Sequence, residues 1–303
     1  ESLQVMDHML DDARIGVGLM FLEGFKTPAL FAAVASKAMR LAKPLVIAKM
    51  GRSVEGAAAA AAHTSSMAGE FASYEAMMAH MGVASSDDLD DTLDIAAAFA
   101  FYRKRMPRGP RVAILTPSGG AGIWLTDACI GAGLAVPELD AATREDFDAL
   151  LPSYGSSHNP VDLTAQFMIN SSYARGIEIA MRSSNIDMVL VASSLGRLSA
   201  VEHDYEHLCT VVAASDKPVM FWSYTRPHAD CVELLAGAGI PCFTSVTGIA
   251  RAARALVDYQ QARTRFMARA ALAAPPTTTA ATTTTEQRSL PFKPGREVLC
   301  EYE

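Results

Sequence analysis

Cysteine is scarce in this chain, and none of it is arranged for bonding. Five cysteines in 303 residues (Cys129, Cys209, Cys231, Cys242 and Cys300) include no C-x-x-C pair and no metal-finger spacing. A disulfide framework and a zinc ribbon are both set aside, and buried thiols in a reducing cytoplasm are the simplest reading. An excess of positive charge is also missing. Lys and Arg number 26 against 33 Asp and Glu, for a formal net charge of −7 and a pI of about 5.5. That argues against a nucleic-acid partner, whose binding surface must be basic. No apolar run approaches the roughly 18 residues of a membrane span, and no secretory leader opens the chain. The expected location is therefore the cytoplasm, with no membrane partner. The chain opens at Glu1 without an initiator Met and stops at Glu303 in mid-pattern, so it is expected to be a piece of something longer.

What is present is ample apolar content. Half of the residues are hydrophobic, and this length sets a soft expectation of two domains. The first unit is placed over residues 1–107. Val17 to Leu22 reads as a buried strand, Thr27-Pro28 opens a helix to Leu41, and Leu45 to Lys49 is the next strand. Met67 to Met81 reads as a helix with Gly82 at its C′ position. Ser85-Ser86 is expected to cap a last helix from Asp87 to Arg105, with acids in its first turn and bases in its last.

The second unit is placed over residues 108–268. Val112 to Leu115 is a strand, Thr116-Pro-Ser-Gly-Gly-Ala-Gly122 a Gly-rich turn, and Ile123 to Ala132 the helix after it. Thr143 begins a near capping box for a helix to Leu151. Further strands are read at Met188 to Ala192, Val219 to Trp222 and Pro241 to Phe243, with helices near 171–183, 200–214 and 228–237. Short strands alternating with helices imply βαβ units, so the expected fold class is α/β: two doubly wound parallel-sheet domains of flavodoxin-like kind. Residues 269–295 contain the run Ala-Pro-Pro-Thr-Thr-Thr-Ala-Ala-Thr-Thr-Thr-Thr-Glu286 and read as a flexible linker. Residues 296–303 have apolar positions at helical spacing and read as the opening of a further, truncated domain.

One histidine carries most of the functional signal. Between the strand ending at Lys49 and the helix expected from Met67 lie Gly51, a run of small residues, His63, and then the hydroxyls Thr64 and Ser65. Read as a loop at the mouth of a helix, this places His63 before free N–H groups and a positive dipole end, a natural anion site. Neutral imidazole is a good nucleophile near pH 7. A carboxylate on its other nitrogen would fix the tautomer and stabilise positive charge on the ring. Glu23, at the end of the preceding strand, would share the carboxyl edge of the sheet with it, where open α/β folds bind ligands. The glycines at 119, 120 and 122 let backbone N–H groups approach an anion closely, and so no metal is required in this chain.

Each of these residues has a plainer reading. Glu23 alone could be a solvated strand-end acid, and the Gly-rich stretch a tight turn. Asn159 to Asp162 could simply shape a loop, and Lys49 and Arg52 could be surface charges instead of phosphate attractors. His158 has no partner that the sequence names. His8, His80, His203, His207 and His228 read as surface or packing residues, and Trp124, Met67, Met77, Met78 and Met81 as core.

The ordered pattern is more specific than any of its pieces. Glu23-Gly24, Lys43-Pro44, Lys49-x-Gly51-Arg52-Ser53, Gly56, His63-Thr64 and Ala68-Gly69 are followed by Ser118-Gly-Gly-x-Gly122, Asp127, Leu151-Pro152 and Asn159-Pro160-Val161-Asp162. Together they resemble the NDP-forming acyl-CoA synthetases, that is, the ADP-forming acetate–CoA ligases related to succinyl-CoA synthetase. The resemblance runs from about residue 5 to residue 265, and the tail is similar to the start of that family's ATP-grasp domain. It implies a CoA-binding domain upstream and an ATP-grasp domain downstream, so that CoA, ATP or ADP and Mg²⁺ are held mainly outside this chain. It implies a small carboxylic acid or its acyl-CoA as substrate, and it leaves a homo-oligomer open. It implies that an acyl phosphate passes its phosphoryl group to His63 and from there to ADP, with Glu23 paired to the histidine. Thr64, Ser65, Ser118, Gly119, Gly120 and Gly122 would bind phosphate, and Asp162, Asn159, Lys49 and Arg52 are the further candidates. The chain departs from the family at Ser65, where the usual residue is Gly; its side chain could hydrogen-bond the phosphate or crowd it. Two other functions stay open. One is an acyl-CoA-responsive regulatory module of a larger protein such as a fused acetyltransferase, copies of which tend to lose the histidine. The other is a flavin-binding or receiver-type domain, for which neither an acidic cluster nor a flavin-stacking aromatic is visible.

Overall fold

The computed structural model describes residues 2–64, 71–86, 88–166 and 172–273; for His63 and Thr64 it describes the backbone alone. It has two sheets, both wholly parallel. In the first, β1 (Gly18–Leu22), β2 (Leu45–Lys49) and β3 (Ala84–Ser86) lie in the order β1-β2-β3. The second contains β4 (Val112–Thr116), β5 (Val161–Asp162), β6 (Met188–Ser193), β7 (Val219–Ser223) and β8 (Cys242–Phe243), ordered β5-β4-β6-β7-β8. The α/β class with two parallel sheets is thus the architecture expected from the strand pattern. β2, β4, β6 and β7 are buried at every position, as strands covered on both faces must be. β1, at an edge, alternates buried and exposed residues.

The helices of the first unit are α1 (Ser2–Met9), α2 (Pro28–Arg40), α3 (Val54–Thr64), α4 (Phe71–His80) and α5 (Leu89–Tyr102). Those of the second are α6 (Gly119–Gly131), α7 (Ala141–Asp148), α8 (Tyr173–Arg182), α9 (Tyr205–Ala213), α10 (Ala229–Gly237) and α11 (Val246–Ala273). Proline stands in the first turn of α2, and Gly82 follows α4 with φ +67°, both as the sequence implies.

Several elements differ from expectation for identifiable reasons. Ser85 and Ser86 do not cap α5; they lie in β3, and Asp88 is the cap, accepting a hydrogen bond from the Asp91 amide at 3.0 Å. Asp140 caps α7, accepting from the Thr143 amide at 3.0 Å, so Thr143 lies inside the helix and does not open it. Asp and Ser cap equally well in general; here Asp88 and Asp140 stand one residue before the first helical turn, within reach of the amide three residues on, and Ser86 accepts from the Asp88 amide instead. Residues 269–273, assigned to the linker, continue α11; residues 274–303, including the Thr-rich run and the tail, lie outside the described residues.

The two sheets share one core. α5 and α11 pack together between them, and Ile95, Phe99 and Tyr102 join Leu256, Val257 and Tyr259 in a cluster that also takes in Val46 of β2 and Ile114 of β4. Phe99 and Tyr259 meet edge to face with ring centroids 5.3 Å apart. The Tyr102 hydroxyl reaches β7, donating to the Val219 carbonyl. The crossing of α5 and α11 needs a glycine: a Cβ on Gly248 would strike the Asp94 carboxylate. Burial first, then the charges of Asp90 and Asp88, push Asp94 up from 3.8 to about 6.

That shift predicts a pH effect of definite sign. Between 3.8 and about 6 the folded chain binds a proton that the unfolded chain releases, so this group's contribution to stability falls as pH rises through that window. Asp94→Asn should therefore stabilise the chain at pH 7 by about 1–2 kcal/mol, after allowance for partial solvent contact, and should gain nothing at pH 3.5. Urea unfolding at both pH values checks this, and an equal gain at both would remove Asp94 as the cause.

Candidate functional site

The carboxyl edge of the first sheet gathers Glu23, Lys49 and Arg52. β1 and β2 pair in register Leu22↔Lys49, and the Met50 amide donates to the Leu22 carbonyl at 2.9 Å, so Glu23 and Lys49 emerge side by side. Glu23 is half-buried, with its Oε2 atom sealed from solvent. Lys49 is only 5% exposed. Its ammonium donates to the Met50 carbonyl and lies 4.8 Å from the ring centre of Tyr74 and 5.6 Å from that of Phe71. The Arg52 guanidinium sits over the same Phe71 ring at 5.6 Å. Burial pushes the Lys49 ammonium below the usual lysine range, and the Glu23 charge opposes that shift. Phe25 meets Tyr74 edge to face and stacks on Phe31, completing an aromatic floor beneath the two cations. Phe71 and Tyr74 were not singled out from the sequence, because the helix that presents them has no strong amphipathic period to mark one face.

His63 is not where the loop reading puts it. Residues 54–64 form α3, and His63 lies in its last turn. The Ala57–Ala62 run is the reason: alanine is the strongest helix former, and the Ser53 hydroxyl accepts from the Gly56 amide at 2.9 Å at the start of the helix. The small residues that read as a loop are a helix instead. The C-terminal end of a helix carries the negative end of its dipole, which favours a cationic imidazole but not an anion. Thr64 closes α3; Ser65 and the expected helix start at Met67 lie outside the described residues, and α4 is described from Phe71.

The carboxyl edge of the second sheet holds the Gly-rich segment. Gly119, Gly120 and Gly122 do not form a turn before a helix: α6 begins at Gly119 with Ser118 as its cap residue. The Ser118 side chain makes no capping bond, and Gly119 and Gly120 are exposed, so the first amides of α6 face outward. Gly122 serves packing, since a Cβ there would sit 2.9 Å from Thr116 Cγ2 and 3.3 Å from Pro160 Cβ. A Cβ on Gly120 would meet nothing within 4 Å. Gly122→Ala should cost about 1–3 kcal/mol, while Gly120→Ala should leave thermal stability unchanged or raise it slightly. Melting curves for the two variants decide this, and equal melting temperatures would contradict the packing role of Gly122.

Asp162 reaches the same edge. Its Oδ2 lies 3.5 Å from where a Gly119 Cβ would be, and its Oδ1 accepts from the Thr164 amide at 2.9 Å. Asn159 is committed elsewhere: it accepts from the Ile114 amide at 2.9 Å and donates to the carbonyls of Val112 and Pro137, each at 2.8 Å, in effect sewing the β4 edge to the following loop. His158 has a partner after all, the Glu138 carboxylate at 3.1 Å. Trp124, read as core, is 67% exposed on α6 beside Ile123 at 63%, because helix α6 starts four residues earlier than expected and its buried face falls on Ala121, Leu125 and Cys129. Met78, by contrast, is buried as expected. Among the described residues no three His, Cys, Asp or Glu are grouped to hold a metal ion, and no helix is long and apolar enough to cross a membrane.

Comparison with known proteins identifies relatives of the chain and of its fold. A succinyl-CoA ligase like flavodoxin domain matches residues 2–99, and a ligase-CoA domain matches residues 112–221. The alpha subunit of ADP-forming acetate–CoA ligase II from Pyrococcus furiosus is 32% identical over 266 residues, covering 86% of this chain and 56% of that protein. ADP-forming acetate–CoA ligase II from Archaeoglobus fulgidus is 27% identical over 271 residues, covering 87% of this chain and 39% of that protein. The solved structure of dinucleotide-forming acetyl-coenzyme A synthetase 1 from Ca. Korarchaeum cryptofilum, in complex with phosphate and ADP, superposes with a TM-score of 0.76 at 26% identity, covering 91% of this chain and 59% of that one. The chain thus spans between about two fifths and three fifths of the length of these relatives.

Proposed function

We propose that this chain, which belongs to the NDP-forming acyl-CoA synthetase family through its succinyl-CoA-ligase-like flavodoxin and ligase-CoA domains, supplies the phosphohistidine segment of an ADP-forming acyl-CoA ligase. Phosphate displaces CoA from acyl-CoA to give an acyl phosphate; His63 takes the phosphoryl group from it, releasing the carboxylate, and hands it to ADP to give ATP, and the reverse direction starts from ATP. The observation that supports this reading is that Glu23 and Lys49 emerge side by side at the carboxyl edge of β1 and β2, β2 being the strand after which the chain enters α3 and reaches His63.

Each chain residue has a defined task. Glu23 accepts a hydrogen bond from the protonated ring nitrogen of His63, orients the ring and stabilises the charge that develops as the other nitrogen attacks phosphorus. Lys49 and Arg52 offset the charge of the transferring group. The exposed first amides of α6, at Gly119 and Gly120, and the Ser118 hydroxyl supply donors and a positive dipole end; Thr64 and Ser65 add hydroxyls next to the histidine. Asp162, whose carboxylate lies beside that helix start, must leave room for the phosphate. CoA, nucleotide and Mg²⁺ are held by CoA-binding and ATP-grasp domains of the same protein or of a partner subunit, and the chemistry Mg²⁺ supplies there is charge neutralisation on the nucleotide. The acyl group is a small carboxylic acid, and the setting is the cytoplasm.

The test is intact mass at alkaline pH, where phosphohistidine survives. The chain is mixed with the ATP-grasp segment of the same protein, Mg²⁺ and ATP. A phosphate-sized gain that acid removes supports the assignment. No gain, with both pieces folded and ATP bound, favours a regulatory module and makes Ser65 the first residue to revert to Gly.

A further inference from the structure

A cavity of about 530 Å³ lies between the two halves of the molecule, walled by α4 and β3 on one side and by α11 on the other. Five cations line it: Lys49, Arg52, Arg251, Arg254 and Arg265. Only Glu75 and Asp258 oppose them within the lining. In a chain of net charge −7, this is a local reversal of sign. Two of the arginines are already engaged: Arg251 pairs with Asp91, and Arg254 pairs with Asp258 at 2.8 Å while donating to the Gly133 carbonyl at 2.6 Å. Arg265 is exposed and makes no ion pair among the described residues. Lys49, nearly fully buried, donates to the Met50 carbonyl, feels the Glu23 charge and lines the cavity beside the Phe71 and Tyr74 rings.

A second, independent feature points to a ligand. Tyr259 lines the cavity and is 4% exposed, and its hydroxyl, sealed from solvent, has no hydrogen-bond partner. A buried donor left unmade is costly. Burial pushes this phenol up to about 12, so it keeps its proton at neutral pH, and a rotation of its O–H end toward the cavity would give it an anionic acceptor. The cavity face of α11 carries Arg251, Arg254, Ala255, Asp258, Ala262 and Arg265 along one side of the helix, and the two alanines leave the volume open between the charged side chains. The remaining wall, at Met78, Val83 and Ile95, is apolar.

We infer that this cavity binds a small organic phosphate, its phosphate oxygens on the cationic rim and its apolar body against Met78, Val83 and Ile95. Guanidinium groups suit a multi-oxygen anion because each can grip two oxygens at once. The volume falls within the range of small-molecule sites, with a mostly apolar wall and a few converging polar groups. Inorganic phosphate would satisfy the rim but leave the apolar wall uncovered. Because α4 and β3 belong to the first half and α11 to the second, a bound molecule ties the halves together. Lys49 and Arg52 are shared with the proposed transfer site, whereas Arg251, Arg254, Arg265 and the apolar wall are not, so the inference rests on the cavity and not on phosphoryl transfer at His63.

Isothermal titration of the intact chain with phenyl phosphate, benzoate and inorganic phosphate tests it. Phenyl phosphate should bind at least tenfold more tightly than either of the others, and should raise the melting temperature. Ala255→Leu, which fills the cavity, and Arg265→Ser, which removes an exposed cation, should each weaken binding at least fivefold, whereas His63→Ala should leave it unchanged. If Ala255→Leu does not fold, Arg265→Ser still decides the matter, because Arg265 is exposed. No binding of phenyl phosphate at millimolar concentration, equal affinity for inorganic phosphate, or indifference to both cavity substitutions would overturn the inference. Loss of binding in His63→Ala would reassign the anion to the transfer site.

Discussion

His63→Ala should abolish uptake of acid-labile phosphate while leaving the fold intact. The loss is all or none, because the residue is proposed to carry the phosphoryl group covalently, and no neighbour can substitute for a nucleophile at the same point in space. Stability should change by no more than a few tenths of a kcal/mol from helix propensity, since alanine extends the Ala57–Ala62 run in the same helix. The position of His63 in the last turn of α3 sharpens the argument. The dipole at that end stabilises positive charge on the ring but repels the incoming phosphate, so donors on other elements must hold the dianion. Lys49, Arg52 and the first amides of α6 are the candidates, and this is why Gly120→Ala should reduce phosphate uptake without harming stability. The measurement is phosphate stoichiometry by intact mass at alkaline pH, with circular dichroism to verify folding. Any acid-labile phosphate on the variant would mean that another histidine is the carrier, and peptide mapping over His8, His80, His158, His203, His207 and His228 would find it.

The strand pattern and the helix signals that rest on proline or glycine were legible in the sequence. β1, β2, β4, β6, β7 and β8 all lie within a residue or two of the apolar runs that announced them, because a buried parallel strand is a short continuous apolar run and little else looks like it. What was misread follows from two local competitions. Small residues favour both loops and helices, so Gly119 to Gly122 and Ala57 to Ala62 read as loop when they are the first turn of α6 and the body of α3. Capping is decided by reach in three dimensions, so Asp88 and Asp140 displaced the serine and threonine nearby. The largest omission was α11. Its buried stripe at Ile249, Ala252, Ala253, Leu256, Val257 and Tyr259 is rich in alanine, and alanine contributes little to an apolar period even where it packs closely. The candidate site was legible at its strand ends, Glu23 and Lys49, since strand termini fix position. The aromatic floor of Phe71 and Tyr74 was not, because only the packing of α4 against β2 brings those rings under the lysine. Asn159 belongs to the motif although its side chain bonds to the backbone of Val112, Ile114 and Pro137; a motif marks a residue without saying whether it serves the chemistry or the frame.

Glu23→Gln should slow phosphorylation of His63 by about 10²- to 10³-fold, in line with a lost orienting carboxylate, with little change in melting temperature. The amide keeps the shape but removes the charge that stabilises the developing imidazolium, and it can present its NH₂ group to the ring and favour the wrong tautomer. Lys49 makes this more than a single-residue effect. Its ammonium, already pushed down by burial, is supported by the Glu23 charge, so Glu23→Gln lowers the Lys49 pKa further. The sign is fixed: a lysine whose pKa falls loses its charge at lower pH, so in Glu23→Gln the alkaline limb of the rate profile should move toward neutrality. Lys49→Met should slow the reaction less, about tenfold, and should abolish that alkaline limb in both backgrounds. The two substitutions together should cost less than the product of their separate effects, because each removes part of what the other held. Single-turnover phosphorylation followed by mass from pH 6 to pH 10 measures all four corners of the cycle. Strictly multiplicative effects, with an alkaline limb that does not move when Glu23 is neutralised, would show that the two residues act independently and that Lys49 serves only the phosphate.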